Sequence, residues 1–254
     1  MTEKCLYLFC VAEGTSGKNL DVRGIGGERA FALADHGLFA VVQECAAPFS
    51  AEDSGLVSEW ILAHQAVVDI AWDKFETVIP FSFDTLVFAK DGKSAVENLK
   101  AWLAREREIL LEKISRLKGK AEYGVQISWD PAVVAPRLVK NDAEIQALEK
   151  EIAEKSTGTA YLLRQKLVAL VGKRMEQAAD VYFNELYQKI KSHVEDIRVE
   201  KGRKEEPPRQ MLMNLSCLIP KGEADRLGEE LDKIEKMEGF FVRFTGPWPP
   251  YSFV

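Results

Sequence analysis

The chain is short of the residues that most often carry chemistry, with 3 histidines and 4 cysteines among 254 residues. Cys5, Cys10, Cys45 and Cys217 are scattered, three of them inside strand-like apolar runs. They lack the paired short spacings and nearby histidines of a zinc site, so buried free thiols are expected and no metal. No run approaches the ~18 uninterrupted apolar residues of a membrane span. The opening apolar stretch at 5–12 has Glu3 ahead of it and Glu13 at its exit, which is too short and wrongly flanked for a secretory signal. A cytoplasmic protein with no membrane span is the expectation.

A basic stripe with interleaved aromatics is also missing. Residues 1–90 carry 13 acidic and 6 basic residues, whereas the rest carries 27 and 28, so the acidity lies in the N-terminal third. Phosphate backbones draw most of their affinity from clustered Lys and Arg, and this balance argues against nucleic acid as a partner. The glycine motifs are incomplete as well. RGIGG at 23–27 is followed by a strand instead of a helix, and GTSGK at 14–18 lacks the first half of a P-loop. Both read as turns, and no cofactor is expected.

What the chain does have is apolar periodicity, with 46% hydrophobic residues to fill a core. The run at 4–13 reads as a buried strand, and 29–34 and 38–44 as strands joined at His36-Gly37. Val57, Ile61, His64, Val68, Trp72 and Phe75 recur every three or four residues, predicting an amphipathic helix over 51–75 with Ser50 as its cap. A strand at 77–83, a helix at 93–117 and a half-buried strand at 121–129 follow.

The stripe from Leu163 to Ile197 has ten members with a mean spacing of about 3.8, too wide for the 3.5 of a left-handed coiled coil. It predicts one long helix over 159–203 that carries His193 and is either bent at Gly172 or protruding. A strand at 210–219, a helix at 223–237 and a strand at 240–244 complete the order. The fold class is therefore α+β with two domains, 1–119 and 120–254, each resembling a modified ferredoxin-like sandwich.

Catalytic constellations are not evident. His36 lies in a turn, and His64 lies on the apolar stripe, where it reads as a core-edge histidine with a satisfied hydrogen bond. No catalytic residue is assigned. Two other classes remain open: a small-molecule enzyme using His64 and a carboxylate, and a helical scaffold that self-associates through the long helix.

The C-terminus is the most informative segment. Gly246, Pro247, Trp248, Pro249, Pro250, Tyr251 and Phe253 form an extended arm in which proline restricts the backbone and three large aromatics project. Such rings must bury somewhere, either on the chain's own sheet or on a partner. These seven residues are the candidate partner-binding site.

GPWPPYSF closing an α+β chain resembles the ending of the gas vesicle protein F/L family. LYLFCVA, GLFAVVQE, His64 with Val67 and Val68, VIPFSFDTLVF and LKGKAEYGVQISWD line up in the same order. After Pro80 the family commonly has an arginine and then a glycine, where this chain has Ser82 and Asp84. The resemblance implies an accessory or minor structural protein of gas vesicle assembly and not an enzyme. Its implied partners are the hydrophobic shell protein and other accessory proteins, and a monomer in solution is expected.

Overall fold

In the computed structural model, residues 5–14, 20, 22–140 and 142–254 are described. They group into two compact units. One runs up to Glu122 and includes Pro247–Val254, and the other is Tyr123–Gly246.

The first unit is built around β1 (Cys5–Glu13), buried at eight consecutive positions. A strand with helices on both faces needs a near-continuous apolar run, which is what CLYLFCVA supplies. The sheet runs in the order β2 (Val22–Arg23), β3 (Arg29–Asp35), β4 (Leu38–Cys45), β1 and β5 (Val78–Pro80), with the short β6 (Leu86–Val87) also on β1. β1 pairs antiparallel with β4, β5 and β6, and β3 pairs antiparallel with β2 and β4. The β1–β4 register shifts between Leu8 and Cys10. This bulge changes the side-chain parity and lets Leu6, Leu8 and Val11 all join one core cluster. That cluster takes Leu99, Leu103, Leu110 and Ile114 from α2 (Ala95–Leu117), which begins at a Ser94–Glu97 capping box. Tyr7 and Phe9 instead meet His64 of α1 (Ser54–Phe75). Asp53 caps α1, and Ile61, expected in its buried stripe, is 46% exposed.

Cys5 and Cys45 are Cα partners across the β1–β4 ladder and are joined in a disulfide, which corrects the expectation of free thiols for this pair. Sequence spacing cannot show such a pairing, because the register that creates it comes from the long-range β1–β4 ladder. Cys10 and Cys217 are buried and lie outside this disulfide, and burial pushes the Cys10 thiol up, away from the reactive thiolate.

The turn at 23–27 is also more specific than expected. Ile25 is fully buried, and the buried Gln43 carboxamide accepts its N–H at 2.9 Å and donates to its carbonyl at 3.0 Å. Gly24 permits this, since a Cβ there would lie 2.1 Å from Gln43 Oε1. Gly24→Ala is expected to cost about 1–3 kcal/mol in denaturant unfolding, the range for breaking a buried amide pair. Of the turn expected at 14–18, residues 15–18 lie outside the described residues.

The second unit has a sheet in the order β10 (Phe240–Trp248), β7 (Lys120–Trp129), β9 (Gln210–Pro220) and β8 (Asp196–Val199). Three helices follow β7: α3 (Pro131–Lys140), α4 (Ala143–Glu154) and α5 (Thr157–Lys191). Pro131 opens α3 at the one position where its missing N–H costs nothing. Asp142 caps α4, and Arg174 of α5 donates to Asp142 at 2.5 Å and to Glu144 at 2.9 Å. Trp129, Tyr182 and Phe240 form an aromatic triad with centroids 5.1 to 6.2 Å apart. α6 (Ala224–Glu235) buries Leu227, Leu231 and Ile234.

α5 continues unbroken past Gly172 but stops at Lys191, which corrects the expected end near 203. His193 therefore sits in the turn beyond the helix, and Ile197 pairs with Cys217 on β8. The apolar stripe continued across a real helix end because β8 happens to place an apolar residue in phase with it. The C-terminal segment also differs from an extended arm. β10 continues through Trp248, and Tyr251–Phe253 closes into a single 3-10 turn.

Candidate functional site

The site is where the last residues of the chain meet α1, β1 and the start of β7 within the first unit. Pro249, Pro250 and Phe253 are buried, Tyr251 and Ser252 are half-buried, and Gly246, Pro247 and Trp248 are exposed. Phe253 has no exposed surface, whereas Trp248 is 45% exposed. The seven candidate residues are thus divided. Four lie against their own unit and three face solvent.

Three polar anchors hold the end of the chain. Glu122 accepts from the Ser252 N–H and the Ser252 hydroxyl, both at 2.7 Å. Arg116, in the last turn of α2, donates to the Phe253 carbonyl. His64 provides the third. Its Nδ1 lies 2.9 Å from the Tyr7 hydroxyl and its Nε2 3.3 Å from the Tyr251 hydroxyl. The Tyr7 oxygen also accepts the Asp84 N–H at 2.9 Å.

Electrostatics agree with a neutral ring. Burial lowers the His64 pKa to about 4, against a weaker opposing effect from a hydrogen bond with the Phe81 backbone. Burial also raises both phenols, Tyr7 and Tyr251, so neither is an acid near neutral pH. A general base would need a ring nitrogen free for substrate and an orienting carboxylate. Here both nitrogens face tyrosine hydroxyls, and no carboxylate is hydrogen-bonded to the ring among the described residues.

Asp84 occupies the position at which the F/L resemblance leads one to expect glycine. Its φ is 63°, the left-handed region that glycine enters freely and aspartate tolerates. The departure is therefore accommodated locally. The Asp84 carboxylate accepts the Phe49 N–H at 3.0 Å while its own N–H reaches Tyr7.

Sequence reasoning placed His64 on a core stripe but did not find Tyr7, Glu122 or Arg116 as tail anchors. Among the described residues, no group of three or more His, Cys, Asp or Glu could hold a metal, and no helix is long and apolar enough to cross a membrane.

Comparison with known proteins gives the following. The family described as gas vesicle synthesis protein GvpL/GvpF matches residues 5–254. Gas vesicle protein L2 of Halobacterium salinarum is 32% identical over 97% of this chain and 90% of its own length. Gas vesicle protein L of Haloferax mediterranei is 25% identical over 91% and 72%. In fold, the chain is similar to the crystal structure of GvpF from Anabaena sp. PCC7120, with a TM-score of 0.78 and 98% of both chains covered at 16% identity. The GvpF structure from Microcystis aeruginosa gives 0.68 at 15% identity, again covering 98% of both chains.

Proposed function

The chain belongs to the GvpL/GvpF family of gas vesicle synthesis proteins, and from that premise we propose that it is an assembly accessory that binds the hydrophobic shell protein and other accessory proteins in the cytoplasm. The observation that carries this reading is the family match along the described length of the chain, from residue 5 to 254. The physics supports it. A shell protein that must present apolar surface to gas is an aggregation hazard until it assembles, and a partner that covers that surface removes the hazard.

On this reading the partner-facing part of the tail is Gly246, Pro247 and Trp248, and the rest of the tail keeps it in place. A rigid, half-exposed indole beside a proline offers contact area at little entropic cost. That each unit resembles a modified ferredoxin-like sandwich is part of the same proposal, supported by an antiparallel sheet packed on helices in the first unit and a second sheet-and-helix unit after it.

The test is complementation. In a cell that carries the gas vesicle genes but lacks this one, the wild-type chain is expected to restore pressure-collapsible turbidity. Trp248→Ala is expected to restore it several-fold less well while shifting the melting temperature by no more than a few degrees, since the side chain is 45% exposed. Full restoration by Trp248→Ala would remove the indole from the interface. Normal vesicles without the gene would reject the assembly role.

A further inference from the structure

α1 carries two apolar stripes, and the core uses only one. His64, Val68 and Trp72 are buried. Leu62, Ala66 and Ile70 each stand two residues earlier, about 200° around a helix of 3.6 residues per turn, on the side away from the sheet. Leu62 is 69% exposed, Ile70 is 44% exposed, and Ala66 between them is exposed too. Ile61 widens the strip at 46% exposure.

Three of the four charges around this strip are acidic, the exception being Lys74 one turn beyond Ile70. Glu59 and Asp73 stand at its two ends and Asp69 beside Ile70. Asp69 is bonded to Gln65 and has no cation partner among the described residues. Its pKa is raised, by burial first and also by repulsion from Asp73. Lys74 is the only basic residue on the helix. A surface helix of a self-sufficient unit would more usually lay lysine and glutamate in alternation over this face. An apolar ridge with carboxylates at both ends and along one flank is complementary to a helix that has apolar residues at the same spacing and cations beside them. The small Ala66 at its centre leaves room for a facing side chain to enter.

We propose that the Leu62–Ala66–Ile70 face of α1 is a docking surface for a basic amphipathic helix of a partner protein. The inference rests on α1 alone and stands or falls separately from the gas vesicle reading.

The test uses the full chain and two synthetic 18-residue helical peptides, one of leucine and lysine and one of leucine and glutamate in the same amphipathic order, followed by titration calorimetry. The leucine–lysine peptide is expected to bind and the leucine–glutamate peptide not to bind. Leu62→Ser with Ile70→Ser, and separately Glu59→Gln with Asp69→Asn and Asp73→Asn, are each expected to weaken binding about tenfold or more. Glu108→Gln with Glu112→Gln on α2 should change it less than about twofold. All the substituted residues lie at the helix surface, and circular dichroism should show each variant folded. Wild-type affinity in the Leu62/Ile70 variant would reduce the interaction to general charge attraction and overturn the proposal. So would equal binding of the two peptides, an equal loss in the α2 control, or no binding at all.

Discussion

Phe253→Ala is expected to destabilise the first unit by about 3–5 kcal/mol, the range for removing a fully buried aromatic ring from a packed interior. Phe253 has no exposed surface although it is the penultimate residue, and its carbonyl accepts from Arg116. Chain ends are ordered only when tied down, and this one is tied by three anchors as well as by the ring. For a chain of this size the loss corresponds to a fall in melting temperature of roughly 6–20 °C. Trp248, five residues earlier, is the internal control. A drop of less than about 1 kcal/mol for Phe253→Ala in denaturant unfolding would mean that the tail is not packed in solution as described.

The second large effect is on acid stability. The pKa of His64 is about 4 in the folded chain against an ordinary value of 6.5. Between these values the unfolded chain binds a proton that the folded chain does not. This contribution is therefore complete above about pH 6.5, declines as the pH falls, and stops changing below about pH 4. A shift of that size corresponds to something on the order of 3 kcal/mol. Carboxylates begin to titrate in the lower part of the window, so the useful quantity is the difference between the wild type and His64→Gln. That difference is expected to shrink by this amount between pH 7 and pH 4. A difference independent of pH would show that His64 is not held neutral between Tyr7 and Tyr251.

Both effects concern the same device, and its parts were unequally legible in the sequence. β1, α1 and β7 could be read because each has a strong local signal: an unbroken apolar run, a stripe at helical spacing, or alternation of apolar and polar residues. α3 was missed because Pro131 and Pro136 within ten residues suggest a loop until the first is seen as a helix opener. β8 was missed because Ile197 continued the helical stripe by coincidence of phase.

The tail anchors could not have been found locally at all. Glu122 is 130 residues from Ser252, and His64 is 187 residues from Tyr251. Proline predicts that the tail is stiff, and its aromatics predict that it must bury, but neither says where. The same limit applies to Cys5 and Cys45, which are brought together only by the β1–β4 register. The outer stripe of α1 was hidden for a different reason. Ile61 fits the buried periodicity almost as well as its neighbours do, and only the packed structure separates the two faces.

The most direct test of the central claim is co-expression of this chain with the major gas vesicle shell protein, followed by affinity capture of the soluble fraction. Wild-type chain is expected to bring down soluble shell protein, and the folded Trp248→Ala variant several-fold less. If the folded wild-type chain leaves the shell protein insoluble and uncaptured, direct binding is contradicted.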